Sequence, residues 1–289
     1  MNIQTIISEI EKVDPEIHER LDTRRSAMKQ FANFTSKVAV AAIPVALSSM
    51  LKKAYGQTST TVTDALNFAL TLEYLEAEFY TKIVGSVGYL TASAAAQAAL
   101  TKIRNDENAH VAFLKTVLGA AAVAKPNIDL TGGKSAAGTG PFAGYLTNYA
   151  VQLAMAQTFE DTGVRAYKGQ AGNLQSNRGY LTAALQIHSV EARHASHIRQ
   201  MRRALDAAIP VAQKPLKPWI TSNYSGIDYP PAQANINLSY AGEDITTQAG
   251  VNIVGLGGNS FITANAASEA FDEPLTKAQV LVIVDPFLY

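Results

Sequence analysis

Glu107-Asn108-Ala109-His110 sits inside a run with a helical apolar rhythm: Leu100, Ile103, Glu107, His110, Leu114, Val117. Positions three and four apart on a helix share a face. This carboxylate and this imidazole therefore point where leucine and isoleucine point, into a core. Buried charge is costly unless something compensates it. The sequence then repeats the pattern. Ala184, Ile187, Glu191, His194, Ile198, Met201 and Leu205 form a second apolar stripe, interrupted by a second Glu-x-x-His. One Glu-x-x-His alone is usually a surface pair. Two interrupted stripes invite a shared explanation, and a metal cluster is the natural one.

Two further helical patterns supply partners. One stripe reads Leu66, Ala69, Leu70, Glu73, Glu76, Ala77, Tyr80, Ile83, and another Leu153, Ala156, Gln157, Glu160, Gly163, Val164, Tyr167. Glu73 precedes Tyr80 by seven residues, and Glu160 precedes Tyr167 by seven. Each half of this region thus offers one helix with Glu and one with Glu-x-x-His. Between residues 62 and 207 there are six glutamates, and only Glu78 falls off an apolar stripe. An ordinary bundle puts glutamate on its solvated faces, so the inversion is the strongest signal in the chain. Four carboxylates and two neutral imidazoles carry a charge that two divalent cations would neutralise. Oxygen and nitrogen donors without sulfur suit iron or manganese. His188 and His197 flank the second motif and are expected outside the ligand set. Tyr80 and Tyr167 are expected in the core with hydroxyls bonded inward, and Trp219 as a packing anchor. Asp106 and Asp161 sit off the ligand face, where a capping or solvated role is expected.

The signals that end helices order the rest. The patterns predict helices over about 63–84, 93–118, 142–168 and 178–208, bounded by Gly85, Gly119, Gly169 with Gly172, and Pro210. The first two are joined by a short link and should be antiparallel neighbours. Residues 119–142 form a long Gly- and Pro-rich connection, and a crossover along the bundle accounts for its length. After Pro210, short alternations such as Asn235-Ile236-Asn237-Leu238-Ser239-Tyr240 read as loops and short strands. Thr276-Lys277-Ala278-Gln279 has capping-box form and opens a short apolar helix.

The chain has 289 residues, 47% hydrophobic, with a formal net charge of zero and no cysteine. This supports a substantial core and excludes disulfides and metal–thiolate sites. The absence of a basic stripe argues against a nucleic-acid partner. Thr23-Arg24-Arg25-Ser26-Ala27-Met28-Lys29 resembles a twin-arginine export signal. The apolar run over 38–51 is short for a bilayer span and fits a signal core. Cleavage after Gly56 is expected, so no stable membrane span remains unless the signal is uncleaved. Three segments follow: a leader over 1–56, a helical bundle over 57–209, and an extension over 210–289 packed on the bundle. The expected location is periplasmic or the cell envelope.

The four helices and their ligand pattern resemble the all-α ferritin-like superfamily, in which this Glu and Glu-x-x-His set holds two metal ions. The segment from Leu66 to Tyr80 is similar to the desiccation-related ferritin-like proteins, and so is Phe271-Asp272-Glu273-Pro274-Leu275. The resemblance implies a four-helix bundle with a long crossover between helices 2 and 3. It implies Glu107 and Glu191 as bridging ligands, His110 and His194 on one metal each, and Glu73 and Glu160 as terminal ligands. Glu76 would be a fifth carboxylate or would replace Glu73, and Gly163 opposite it could leave room for a small oxidant. The metal would be iron or manganese, the chemistry redox with O2 or peroxide. Ferroxidase, peroxidase and catalase-like oxidoreductases all use this frame. The alternative is a non-enzymatic stress-protection protein whose metal is structural. A homo-oligomer is compatible with either.

Overall fold

The computed structural model describes residues 60–205 and 216–289. All of these fall within the second of two compact units, Ser48–Tyr289. The export signal, the apolar run and the cleavage point lie outside the described residues, as do the expected last residues of the fourth helix. Among the described residues, no helix is long and apolar enough to cross a membrane.

Four long helices make the bundle: α1 (Thr60–Ile83), α2 (Ala94–Leu118), α3 (Tyr149–Gln170) and α4 (Arg178–Leu205). Their ends obey local chemistry. Ser93 caps α2 by accepting from the Ala96 N–H, and Gly119 ends it at φ +58°. α1 and α2 run antiparallel, since Asn67 near the start of α1 donates to the Ala121 carbonyl just past α2. α3 and α4 are antiparallel as well: His188 contacts the Val164 carbonyl, while Arg199 pairs with Asp161 one turn earlier on α3.

α2 therefore ends beside the start of α1, whereas α3 begins beside the end of α1, where Gln152 donates to Ser86 Oγ at 2.9 Å. The chain between them must travel the length of the bundle, roughly 36 Å for a 24-residue helix. The long connection is thus a crossover. It extends further than its sequence indicates. α3 begins at Tyr149 and not near residue 142, because Gly144 takes φ +88° and Asn148 is extended and caps the helix by accepting from the Val151 N–H. A single helical turn, Val87–Leu90, also occupies the α1–α2 link.

The extension covers α3. Every α3 residue from Gln152 to Tyr167 is buried, on all sides of the helix. Arg165 explains why a polar face can be buried. It donates to the Ser239 and Ala241 carbonyls at 2.6 and 2.8 Å and pairs with Glu243 at 2.6 Å. Asp161, expected to be solvated, is 3% exposed and accepts from Tyr240 while pairing with Arg199. Asn235 to Tyr240 is not a strand. A helix, α5 (Gln233–Leu238), runs through it, with Ile236 and Tyr240 buried one turn apart and Leu238 exposed between them. Ile236 and Tyr240 satisfy either period, and their contacts with the core select the helical one. Among the described residues, the strands that form are Thr247–Gln248 and Val251–Asn252, an antiparallel pair of two residues each. Trp219 is half exposed, so it is no packing anchor. The capping box forms as expected, with Thr276 and Gln279 bonding reciprocally ahead of α6 (Lys277–Val284), whose Val280, Ile283 and Val284 dock into the core.

Gly169 does not stop α3. It lies inside the helix, where a Cβ would sit 1.9 Å from the Leu275 carbonyl oxygen. Glycine lets the extension lie directly on the last turn, and Leu275 N–H donates to the Arg165 carbonyl there. Gly169→Ala is therefore expected to lose roughly 1–3 kcal/mol in urea unfolding. Gly172→Ala, which meets nothing within 4 Å, serves as the near-neutral control.

Candidate metal centre

The core divides along the bundle axis. One apolar cluster contains Phe79, Leu100, Leu153 and Ile198; the other contains Leu66, Leu114, Tyr167 and Ile187. Between them, on each helix, come the acidic and histidine positions. Glu73, Glu107, Glu160 and Glu191 are each 0% exposed, and Glu76 is 3% exposed. Helical spacing brings them inward, and pairing of the two halves brings them together.

Two groups result. Glu73, Glu107, His110 and Glu191 form one, and Glu107, Glu160, Glu191 and His194 form the other; within each, one donor atom per residue lies within 4.8 Å of all the others. Glu107 turns Oε2 to His110 Nδ1 at 3.1 Å and Oε1 to His194 Nδ1 at 2.9 Å. Glu191 likewise turns Oε1 to His110 at 3.2 Å and Oε2 to His194 at 3.8 Å. These two carboxylates face both groups, and the other residues face one.

Hydrogen bonding does not account for this arrangement. His110 Nδ1 has carboxylate oxygens of Glu73, Glu107 and Glu191 at 3.1–3.2 Å, and one ring nitrogen carries at most one proton. Glu107 Oε1, Glu160 Oε2, both Glu191 oxygens and His194 Nδ1 are buried without a hydrogen-bond partner. They lie close to one another yet out of bonding geometry. Buried polar atoms are nearly always satisfied. Donor atoms that converge on a common point and remain unsatisfied there fit a cation at that point. The oxygen and nitrogen donor set suits iron or manganese better than a thiophilic metal.

Protons show the same strain. Burial lifts the Glu73 carboxyl to about 8 against the opposing pull of His110. Burial likewise pushes Glu76 and Glu160 well above the carboxylate range, with neighbouring glutamates adding to the shift. Burial works against ionised Glu191 too, but the imidazoles of His110 and His194 close beside it outweigh that and hold its value low. Burial opposes a charged His110 and a charged His194, yet the surrounding carboxylates raise both. Without a cation, the cluster therefore collects protons.

The surroundings orient the donors. Tyr80 on α1 donates to Glu160 on α3, and Tyr167 on α3 donates to Glu73 on α1, each at 2.5 Å. The seven-residue spacing seen within each helix is thus read across helices. Asp106, expected to be solvated or capping, contacts His194 Nε2 at 3.2 Å and pairs with Lys102. That contact assigns the ring proton to Nε2 and leaves Nδ1 free to face the cluster. Its adjacency to Glu107 was visible in the sequence; its partner on α4 was not. His188 and His197 join neither group, as expected. Glu76 is buried beside the cluster but also joins neither group, and Glu73 does. The space opposite it is not vacant. A Cβ on Gly163 would lie 3.2 Å from Glu76 Oε1, so the glycine makes room for that carboxylate.

A metal ion must displace the protons the cluster holds. Calorimetric titration with Fe(II) or Mn(II) in two buffers of different ionisation enthalpy is expected to show net proton release at pH 7. The raised Glu73 value means that its contribution to the metal-free fold is complete below about 4.5 and lost as pH rises through about 8. The raised histidines act in the same direction. Melting of metal-free protein should therefore fall in temperature from pH 5 to pH 8, with a shallower slope in Glu73→Gln. Asp106→Asn is expected to weaken metal binding by about 10–100-fold without unfolding the bundle.

The ferritin-like domain family matches residues 61–204. No curated protein and no solved structure matches the chain. The matched stretch carries every side chain of the cluster and all but the outermost residues of the four helices, and it makes residues 61–204 a ferritin-like domain.

Proposed function

We propose that this protein binds two iron or manganese ions between its four helices and uses them in redox chemistry with O2 or peroxide. The observation that carries the reading is the pair of buried donor groups sharing Glu107 and Glu191, with five of their atoms lacking any hydrogen-bond partner. Glu107 and Glu191 would be shared between the two ions, His110 and Glu73 would hold one, and His194 and Glu160 the other. Two adjacent ions supply a place for a small oxidant and the electrons to reduce it.

The chain's own residues do the rest. Tyr80 and Tyr167 are kept as neutral donors, because burial and then the adjacent carboxylates hold both phenols well above their ordinary value. They fix the terminal carboxylates. Asp106 fixes the His194 ring. Burial, and then the neighbouring glutamates, push the Glu76 carboxyl well above its ordinary value, which favours its protonated form beside the cluster. The two apolar core clusters keep bulk water from the ions. The twin-arginine-like segment supports export in a folded, metal-loaded state, and the similarity of residues 66–80 to desiccation-related proteins supports a role in stress.

Elemental analysis of protein kept anaerobic from lysis tests this. About two iron or manganese per chain are expected in the wild type, and well under one in Glu107→Ala and in Glu191→Ala. Wild-type protein should consume O2 or peroxide in the presence of a reductant, and both variants should lose at least about 100-fold of that rate. Metal bound at full stoichiometry with neither oxidant consumed would assign the ions a structural role and favour the non-enzymatic, protective alternative.

A further inference from the structure

Residues 244–266 form a loop that stands off the bundle, for none of its side chains is buried. Both of its ends are fixed. Glu243 pairs with Arg165 on α3, and Ser268 accepts from the Ser222 N–H at 2.9 Å. Residues 245–268 carry no charged side chain, in a chain that is 17% charged. Large apolar side chains are exposed along the loop. Phe261, at 87%, is the most exposed large hydrophobic residue among those described, and Val251, Val254 and Leu256 are exposed as well. An apolar surface left in water this way marks a contact.

The backbone indicates what kind of contact. The Gly255 N–H bonds the Ile262 carbonyl and the Ile253 N–H bonds the Thr246 carbonyl, each at 2.9 Å. Asn252 and Asn259 turn their side-chain oxygens back on the loop and accept from the Val254 and Phe261 N–H groups at 3.1 and 3.0 Å. In water such donors need no internal partner. In hydrocarbon each must have one. A protein partner is recognised by hydrogen bonds and by charge around the contact. This loop keeps these donors for itself and offers no charge. Lipid asks for neither.

The root of the loop suits the headgroup level. Trp219 is half exposed there, with Lys217 Nζ 6.0 Å from its ring centroid. Lys217 and Thr221 both bond Glu269, the residue that ends the uncharged stretch. Tryptophan with its polar edge and lysine with its long stem favour the boundary between hydrocarbon and water.

We infer that the loop over 244–266 is a peripheral membrane anchor. Phe261 and its apolar neighbours enter the outer acyl-chain region of a bilayer, while Trp219 and Lys217 lie among the headgroups. The loop has no basic side chain, so attraction to anionic lipid is not what holds it.

Full-length protein should therefore co-sediment with phosphatidylcholine vesicles, equally at low salt and at about 0.5 M NaCl. Trp219 is the chain's single tryptophan, so its emission reports on the root directly. On vesicle binding it should shift to the blue and be quenched by lipids brominated near the headgroup. Phe261→Ser changes an exposed side chain and should lower the partition coefficient roughly 10-fold or more, with an unchanged melting temperature. Val87→Ser alters another exposed residue, on the α1–α2 link, and should leave partitioning as in wild type. Failure of wild-type protein to bind the vesicles overturns the anchor and requires no variant. Binding that Phe261→Ser leaves intact, or that Trp219 emission does not register, overturns it too, by placing the contact elsewhere in the chain. Self-association that depends on Phe261, without vesicle binding, overturns it in favour of a second copy of the chain.

Discussion

The structure depends on one electrostatic constraint: five carboxylates are held out of water at the centre of a helical bundle. The penalty for burying an ion is on the order of several kcal/mol even after relaxation. Two histidines offset part of it, and the raised proton affinity of Glu73, Glu76 and Glu160 offsets more. Neither leaves the donor atoms satisfied, as the unpartnered oxygens of Glu191 show. Only a charge placed among them answers both the electrostatic and the hydrogen-bonding deficit. A sequence can keep such a cluster only if the apolar core on each side is large enough to carry it. The two hydrophobic clusters above and below the carboxylates fill that role.

Symmetry follows from the same constraint. Each half of the bundle supplies one Glu helix and one Glu-x-x-His helix, and the tyrosines cross from one half to the other, Tyr80 to Glu160 and Tyr167 to Glu73. Crossed bonding makes each half's ligand depend on the other half's position. The crossover over 119–148 then has a purpose beyond connection, since it puts α2 and α3 in the relative direction that lets these pairs meet. Where the halves differ, the difference is Glu76 against Gly163, a large acidic side chain fitted against a residue with none.

The extension solves a different problem. α3 carries Asp161, Thr162 and Arg165 on the side that faces the extension, where they bond to residues 239–243 and 273, while Asp161 also pairs with Arg199 on α4. Its polar contacts to the bundle add direction to the apolar docking of Ile236, Val280 and Ile283, so it packs in one place only. Gly169 is the corresponding steric requirement, a position where backbone of the extension rests directly on the helix.

The helices, their caps, the crossover and the inward glutamates were legible in the sequence, because local periodicity and turn chemistry act over a few residues. Glu73, Glu107, His110, Glu160, Glu191 and His194 could be read as one set for the same reason: each breaks an apolar stripe at its own helix's period. What the sequence could not determine is which side chains meet across helices, since that depends on helix direction and rotation. Asp106 is placed on His194, Asp161 under Tyr240, and Gln233–Leu238 coiled and not extended only by contacts 79 or more residues distant or by the core they dock against. The pattern along the chain thus determined which groups are buried. The tertiary structure decided what each one faces, because burial is a property of a helix face and partnership a property of two.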